Sequence, residues 1–455
     1  MKLSKLISVS FLAFAGVASG QSLYGILHDD DPGDAVPVHW TAAFNVGYDD
    51  NPSPSLSEIP GFDSEGTTYL SASIQGNFAS KTARTTIDAW ARLGIIYYVD
   101  EIQQRLLSGV PVGTSDDTFY TTEVGLNITH HVSERLRLLS RTNISWEQEP
   151  DYDTGIATDR RQGQYVRYNT DNSVGFRWNE RVGTVTGYRF SGTTWDDIID
   201  QDTSQHLFYN QFRYRTSENT VLTSSVRYGF TDNDRGGFTD NDRGDSDSLY
   251  LLVGMEHEFS PTTVAVLRVG GQHYSPDRGS DQWSPFVEGT IKTQVNAQFG
   301  VRAFVHYGVE DRNRNISIHD ADAFPDASGN PATASFARVG YNERNILRIG
   351  TQASYVVSEK LTLSGGTNLV FENYENGTYT NNDPDVIDGG FDAWDLGNAA
   401  PDFDQSIVNV NIGASLKVTG NVHLTGSINY TDSSSDADIN DYDRSRFQLG
   451  VQTSW

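Results

Sequence analysis

The sequence predicts an all-β protein, a transmembrane antiparallel up-and-down β-barrel of about 18 strands, with roughly 16–18 compatible with the pattern. Three observations predict it. Many segments alternate apolar and polar residues, short turns alternate with long polar loops, and the chain ends on an aromatic residue within such a segment. Because successive side chains of a strand point to opposite faces, each segment has one apolar face and one polar face.

Composition favours strands over helices and limits how the fold can be stabilised. The chain has 42 Gly and 22 Tyr against 2 Met, and it has no Cys, so no disulfide holds it. Its formal net charge of −27 at pH 7 makes a nucleic-acid partner unexpected. No stretch after the N-terminus approaches the roughly 18 apolar residues of a membrane helix, but barrel strands escape that criterion because lipid-facing and lumen-facing residues alternate.

The N-terminal residues 1–20 predict a cleaved signal peptide. Lys2 and Lys5 precede a short apolar run, and small residues follow it. Removing the two lysines takes the net charge from −27 to −29. The acidic, irregular stretch 21–36 then predicts a short periplasmic segment, and 37–455 forms a single barrel domain with long acidic extracellular loops.

Strands and connections follow one another regularly through the barrel domain. The predicted strands cover 37–49, 66–79, 83–99, 118–132, 134–148, 163–179, 181–195, 204–217, 219–231, 246–260, 262–275, 281–294, 297–310, 341–357, 360–373, 404–419, 421–431 and 441–455. On one side they are joined by tight turns, and on the other by long polar loops at 50–66, 100–117, 149–162, 196–204, 231–246, 275–281, 311–340, 374–404 and 431–441. This asymmetry is typical of outer-membrane barrels, which have periplasmic turns and extracellular loops.

Aromatic residues gather near the strand ends, where outer-membrane barrels carry girdles of aromatic side chains at the membrane interfaces. They are Trp40, Tyr48, Trp146, Trp178, Tyr188, Phe190, Tyr430 and Trp455. The alternative fold, a soluble β-sandwich, explains the alternation of faces. It does not explain the girdles, the turn–loop asymmetry and the aromatic terminus together.

The C-terminal stretch 442–455 places Phe447, Leu449, Val451 and Trp455 on one apolar face. This ending resembles the last strand of bacterial outer-membrane barrels, whose terminal aromatic residue serves as an assembly signal. The resemblance implies that these four residues form that signal. It also implies two partners, the barrel assembly machinery and outer-membrane lipid.

A second resemblance rests on the end of the first strand, Gly47-Tyr48-Asp49-Asp50-Asn51. This phrase is similar to the opening of proteins of the β-barrel porin 2 family. The resemblance implies a porin-like channel in the outer membrane of a Gram-negative bacterium, through which small hydrophilic solutes diffuse passively. The alternative function is a non-conducting surface barrel whose acidic loops bind a partner, a surface layer or divalent cations. Its oligomeric state is left open.

The polar faces of the strands carry many basic residues. An Arg facing lipid would cost roughly 2–4 kcal/mol at mid-depth, so the pattern predicts that these residues point inward. The predicted pore-lining set is Arg92, Arg135, Arg137, Arg141, Arg177, Arg189, Arg213, Arg215, Arg227, Arg302, Arg344, Arg348, Arg444 and Arg446, with Lys292 and Lys417. The predicted inward acids are Asp88, Glu123, Asp171, Glu256, Glu258 and Glu288.

The basic wall has two alternative roles, selectivity and structure. If the long loops stay outside, the arginines predict a mild anion preference. If loop 311–340 or 374–404 folds inward, its carboxylates oppose the wall across a constriction and weaken that preference.

Loop 231–246 contains a tandem repeat, TDNDRGGF followed by TDNDRGDS. Closely spaced Asp oxygens with Gly suit Ca²⁺, and the candidate ligands are Asp232, Asp234, Asp240 and Asp242. An EF-hand would need Glu at the position that Arg243 occupies. A solvated loop lengthened by duplication is therefore the favoured alternative, and no other cofactor is expected.

Enzymatic activity is not expected. The pair His130 and His131 lies at a strand end without further residues at metal-ligand spacing. A barrel-type hydrolase would need a Ser and a His that face each other, and a single sequence cannot show which residues face each other across strands.

Overall fold

The structure, a computed structural model, describes residues 38–52, 66–102, 116–149, 151, 164–195, 202–234, 245–277, 281–319, 336–375, 378–379, 402–435 and 441–455. The strands are β1 (Val38–Asp49), β2 (Thr67–Lys81), β3 (Thr85–Ile102), β4 (Asp116–His131), β5 (Leu136–Glu147), β6 (Tyr165–Arg177), β7 (Val182–Trp195), β8 (Asp202–Ser217), β9 (Thr220–Asp234), β10 (Ser246–Ser260), β11 (Thr263–Pro276), β12 (Gln282–Gln294), β13 (Phe299–His319), β14 (Phe336–Val356), β15 (Leu361–Glu375), β16 (Thr378–Tyr379), β17 (Phe403–Lys417), β18 (Val422–Ser435) and β19 (Tyr442–Ser454). Among these residues, no helix is long and apolar enough to span a membrane.

The strands form one closed antiparallel barrel, as predicted. Each long strand pairs with its neighbours in the chain, and β1 pairs with β19 to close the wall. The two-residue β16 only flanks β14, while β15 pairs directly with β17, so eighteen strands make the barrel. We call the end with the short connections the turn end and the opposite end the loop end.

The seam between β1 and β19 brings the two ends of the described chain together. Phe44 lies opposite Val451 and Tyr48 lies opposite Phe447. At the turn end, the backbone N–H of Trp40 donates to the carbonyl of Trp455 at 2.9 Å, and the N–H of Trp455 donates back at 3.0 Å. The terminal aromatic residue therefore closes the ladder of the seam.

The two faces of the wall differ as the alternation predicts. Outward apolar residues such as Val253 and Ile412 are each 59% exposed, whereas inward residues such as Leu252 and Asn409 are each 2% exposed. The predicted assembly-signal residues all lie on the outward face and are exposed: Phe447, Leu449, Val451 and Trp455. An apolar exterior around a polar interior is the distribution that a barrel embedded in lipid requires.

The structure corrects three predicted boundaries. The predicted loop 311–340 is shorter, because β13 and β14 continue as a paired hairpin until His319 meets Phe336. The predicted loop 231–246 begins inside β9, which stays paired with β8 as far as Asp234. Arg135 lies exposed in the tight turn before β5, and not in a strand.

Pro285 lies inside β12, where proline removes a backbone donor from the ladder. The β12–β13 pairing ends at Val287 and Tyr307, two residues before Pro285 would meet Val309. The buried Gln272 of β11 supplies the missing bonds: its amide nitrogen donates to the Val309 carbonyl at 2.8 Å, and its oxygen accepts from the Val309 N–H at 3.0 Å. A side-chain amide thus replaces a peptide group in the wall.

Candidate functional site

Ion pairs between arginine and carboxylate groups occupy the barrel interior. The largest group, which we call the central network, comprises Arg213 on β8, Arg227 on β9, Glu256 on β10, Arg268 on β11 and Glu288 on β12. Each member lies on an inward position of its own strand. Five neighbouring strands therefore contribute one charge each.

The members of the central network are linked in a chain of alternating charge. Arg213 binds Glu256 with both terminal nitrogens, one of them at 2.8 Å. Glu256 also lies 3.7 Å from Arg268, which in turn binds Glu288. Arg227 completes the chain with a bidentate contact to Glu288 at 2.8 and 3.1 Å. Paired, hydrogen-bonded charges of this kind are the form in which charge tolerates burial.

A second group, the β13–β15 cluster, comprises Glu310, Arg344, Arg348 and Glu372. The Arg344 guanidinium donates to Glu372 at 2.5 Å and to Glu310 at 2.9 Å. Arg348 also donates to Glu310, and Tyr374 donates to Glu372 at 2.6 Å. Three adjacent strands hold this cluster in the same way that five strands hold the central network.

A third group, the seam cluster, comprises Asp49 on β1, Arg444 and Arg446 on β19, and Glu149. Asp49 lies directly opposite Arg446 across the seam, and it accepts from Arg444 Nε at 2.7 Å. Glu149 lies 3.1 Å from Arg444 and 3.0 Å from Arg446. Two arginines and two carboxylates thus meet at the loop end.

The aromatic rings beside the seam cluster explain part of the motif at 47–51. Tyr69 lies flat across Gly47, where an added Cβ would stand 2.2 Å from its ring, and Arg446 stacks 4.7 Å from the centre of that ring. Asn51 then donates to the carbonyl of Asp443 at 2.8 Å. The motif therefore joins the first strand to the last one.

Glu149 reaches the seam cluster through the lumen. It follows the end of β5, and β1–β4 separate β5 from β19 along the wall. That path measures roughly 24 Å at ~4.8 Å per strand, which no side chain spans. Burial alone would raise the pKa of the Glu149 carboxyl, but the Arg444 and Arg446 guanidinium groups outweigh it and hold that pKa below its ordinary value. The Glu149 carboxyl is therefore ionised, and it lies inside the barrel.

A fourth contact lies beside this crossing point. Arg92 on β3 is 3.1 Å from Glu147 at the end of β5 and 3.5 Å from Glu123 on β4. The indole of Trp90 donates to Glu123 at 3.1 Å. Glu147 and Glu149 thus bind arginines on two different parts of the wall.

The structure places most of the predicted pore-lining residues on the inner wall, and their role there stays a prediction. The predicted basic residues held in the ion pairs above, or in the Arg189–Asp171 pair at 3.0 Å, are Arg92, Arg189, Arg213, Arg227, Arg344, Arg348, Arg444 and Arg446. The others at inward strand positions are Arg137, Arg141, Arg177, Arg215, Arg302, Lys292 and Lys417.

Burial distinguishes this interior from a simple water-filled pore. Arg213 is 0% exposed, Arg344 2% and Arg444 4%. A side chain lining open water keeps part of its surface exposed, so protein fills the interior around these groups.

Sequence reasoning missed several members of the clusters. Asp49 and Glu310 stood at the edges of predicted loops, and Arg268 stood in a segment with weak alternation. The alternation of side chains along each strand identifies all three as inward, because each lies on the same face as other inward residues of its strand. No local signal identifies Glu149, whose position depends on how the chain leaves β5.

Two of the four candidate calcium ligands lie in β9. Asp232 lies on the outward, exposed side of β9, and Asp234 is the last residue of that strand. Asp240 and Asp242 lie outside the described residues. Within the described ranges, no group of three or more His, Asp or Glu side chains is arranged to hold a metal ion. Calcium binding stays a prediction.

A comparison with models of known protein families finds no match, and a comparison with curated proteins finds none. Among solved structures, outer membrane protein OpdK from Pseudomonas aeruginosa is similar at 11% identity and a TM-score of 0.42, over 92% of this chain and 99% of that one. OccAB4 from Acinetobacter baumannii is similar at 11% identity and a TM-score of 0.41, over 93% and 100% of the two chains. A mutant of the ferric enterobactin receptor PfeA from Pseudomonas aeruginosa shows 8% identity and a TM-score of 0.44, over 92% and 81%.

At these identities the likeness concerns the barrel fold alone. The fold and the interior define the class of this protein, a closed eighteen-strand antiparallel barrel with an apolar exterior and a charged interior. Membership of the β-barrel porin 2 family stays a prediction, because no family model matches the chain.

Proposed function

We propose that this protein is an outer-membrane channel through which small hydrophilic solutes diffuse passively. The observation that carries the proposal is the distribution of side chains across one closed wall. Apolar groups cover the outward face, and charged and amide side chains cover much of the inward face. An apolar exterior suits the hydrocarbon of a bilayer, and a polar interior solvates solutes that lipid would exclude.

The passage that such a channel offers is narrow. Glu149, just after β5, extends into the lumen at the loop end, where it binds Arg444 and Arg446. In the central network, Arg213 and Arg268 are almost completely buried, and the Arg227 side chain is 16% exposed. We therefore expect small solutes to pass and large ones to be excluded.

Charge selectivity should be weaker than a wall of unpaired arginines would give. The seam cluster contains two arginines and two carboxylates, so its charges balance. Paired charges within a few ångströms present little net field to a passing ion. We expect a slight anion preference, because the central network holds three arginines against two glutamates.

A second candidate function is supported by the burial of the same residues. If protein closes the interior at the central network, the barrel is a non-conducting surface scaffold whose acidic loops bind a partner or divalent cations. The exposure of 0% for Arg213 favours this alternative more than any other single value.

Single-channel conductance in planar bilayers tests the proposal. Purified wild-type protein, folded as judged by its heat-dependent gel mobility, should insert and give stepwise current increments. These increments should shrink when small neutral polymers enter the pore, and large polymers, which the narrow passage excludes, should not block it in this way. Folded protein that inserts into vesicles but carries no current contradicts the channel and leaves the scaffold.

A further inference from the structure

One part of the outward face departs from the apolar pattern of the rest. On β5, β6 and β8, the middle of the strand carries uncharged polar side chains that point away from the interior. On β7, the outward residues opposite Thr170 and Asn172 are the aromatic Phe190 and Tyr188, and the polar Thr186 lies nearer the turn end. We define the polar patch as the uncharged polar residues of these four strands: Ser140, Thr142, Thr170, Asn172, Thr186 and Asn210.

The polar patch consists of three cross-strand pairs. Ser140 lies opposite Asn172, and Thr142 lies opposite Thr170. Thr186 lies opposite Asn210 on the next pair of strands. Directly opposed residues of this kind are close enough for their side chains to interact.

Hydrogen bonds join the pairs but leave capacity unused. Ser140 donates to Asn172 at 2.7 Å, and Asn172 donates to Thr170 at 3.0 Å. Asn210 donates to Thr186 at 2.6 Å. A primary amide carries two N–H donors and an oxygen with two acceptor sites, so both asparagines retain donors and acceptors that point outward.

The same depth on several other strands is apolar, and the outward Thr351–Thr367 pair on β14 and β15 is an exception. β10 presents Leu251 and Val253 there, β17 presents Ile412, and β19 presents Leu449. The contrast does not follow from strand pairing, since all these strands have the same antiparallel ladders on both sides.

The depth of the polar patch makes it costly in contact with lipid. A strand needs roughly 9–11 residues to cross a bilayer at the usual tilt. β5 has 12 residues and β6 has 13, so nearly all of each strand lies in the hydrocarbon. Ser140 and Asn172 lie in the middle of those strands, where unused donors and acceptors have no partner in lipid.

We propose that the polar patch is the face on which a second copy of this chain packs in the membrane. The inference rests on the proposed membrane location but not on conduction. A second copy is the occupant that the chemistry favours, because an uncharged patch of amides and hydroxyls is self-complementary. Donors on one copy meet acceptors on the other when the two faces are related by a two-fold axis.

The area of the face agrees with this occupant. Four strands at ~4.8 Å spacing span about 19 Å, and the apolar band of a barrel is ~25 Å tall. One face therefore measures about 480 Å², and two faces bury about 960 Å², close to the ~1,000 Å² that a specific interface needs.

The test compares substitutions that remove the polar patch with Thr→Val substitutions at another outward polar pair. In the patch variant, Thr142→Val, Thr170→Val, Asn172→Leu and Asn210→Leu remove the polar groups. In the control variant, Thr351→Val and Thr367→Val remove an outward, opposed Thr pair on β14 and β15, away from the patch. Native mass spectrometry from a mild detergent gives the number of chains per particle.

We expect wild type and the control variant to contain two chains and the patch variant to contain one. Heat-dependent gel mobility should show all three to be folded. Wild type with a single chain, or a folded patch variant that keeps two chains, overturns the proposal. So does a wild-type particle in which the second component is another protein or a retained lipid.

A second measurement probes the protein in the bilayer. Because the chain has no Cys, Asn210→Cys and Thr351→Cys each introduce a single thiol. A short bis-maleimide should cross-link two chains through Cys at position 210 and should not do so through Cys at position 351. Equal cross-linking at both positions would count as random collision and against the interface.

Failure of this proposal is distinguishable from failure of the channel. A single-chain patch variant that still conducts leaves both proposals standing, because each barrel has its own lumen. Wild type that is dimeric but silent in bilayers overturns only the channel. Wild type that conducts as a single chain overturns only the interface.

Discussion

The central network and the seam cluster are made of the same side chains but are held in place differently. In the central network every residue lies on a strand, and the register of β8–β12 alone brings Glu256 and Glu288 beside their arginines. In the seam cluster, Asp49 and Arg444 lie on strands, but Glu149 lies beyond the end of β5 and extends into the lumen.

The exposed fractions of the glutamate side chains also differ between the central network and the seam cluster. The side chain of Glu288 is 11% exposed, and that of Glu149 is 29% exposed. A deeply buried ion pair is costly to break, since the remaining partner keeps an uncompensated charge in a low dielectric. Water screens the more exposed Glu149 carboxylate in part, so its pairs contribute less to stability. The comparison therefore assigns the larger share of stability to the central network and, in the proposed channel, control of passage to Glu149 of the seam cluster.

The largest expected effect is on stability, from Glu288→Gln. This substitution leaves Arg227 and Arg268 without their shared carboxylate, and Glu256 alone cannot neutralise three arginines. We expect the free energy of unfolding to fall by about 3–5 kcal/mol, measured by denaturant titration of the protein in lipid vesicles.

Glu258→Gln is the matched control for Glu288→Gln. Glu258 is an inward glutamate near the turn end of β10, and it forms no ion pair with any described residue. Its replacement should change the free energy of unfolding by less than about 0.5 kcal/mol. Equal effects of the two substitutions would mean that the network does not stabilise the barrel.

The seam offers the next largest effect, through Asp49→Asn. Asp49 is 0% exposed and binds both Arg444 and Arg446, but Glu149 remains to neutralise part of their charge. We expect a loss of about 1.5–3 kcal/mol, the usual cost of removing hydrogen bonds to a charged group. Urea midpoints and heat-dependent gel mobility measure it.

Asp50→Asn provides the comparison at the same seam, because the Asp50 carboxylate accepts only a backbone N–H, that of Ser445 at 2.6 Å. The amide oxygen of Asn can accept that bond, so the variant should stay close to wild type. A seam that tolerates both substitutions equally would contradict the role given to the ion pairs.

The wall was largely predictable from the sequence, for a physical reason. Alternation with period two fixes which residues face lipid, and tight turns fix where each strand ends, so strands such as β10 match their predicted bounds. The hairpin formed by β13 and β14 beyond Asp311 was not predicted, because strands that leave the bilayer no longer need an apolar face.

The clusters inside the barrel were predictable only in part. The sequence places Arg213 and Glu256 on inward faces, but their contact crosses β9 and depends on the stagger between strands. The two hydrogen bonds by which Gln272 replaces a missing peptide group depend on a side chain of β11 that extends past Pro285 of β12 to Val309 of β13. Tertiary contacts of this kind leave no periodic signal in a single sequence.

The smallest expected effect on stability, and the sharpest test of the comparison, is Glu149→Gln. The Glu149 side chain is partly exposed, so its loss should change the free energy of unfolding by less than about 1 kcal/mol. The seam cluster, however, changes from balanced to a net charge of +1, because Arg444 and Arg446 then face Asp49 alone. In bulk salt, a charge more than ~8 Å from a passing ion is largely screened from it. A charge that lines a narrow constriction acts on the ion without this screening. Reversal potentials in a KCl gradient should therefore shift towards anion selectivity, with little change in conductance.

Glu134→Gln, in the exposed turn between β4 and β5, removes the same charge outside the barrel and should leave the reversal potential unchanged. If both variants give the wild-type reversal potential while conducting normally, ions do not pass the seam cluster, and the passage lies elsewhere in the barrel.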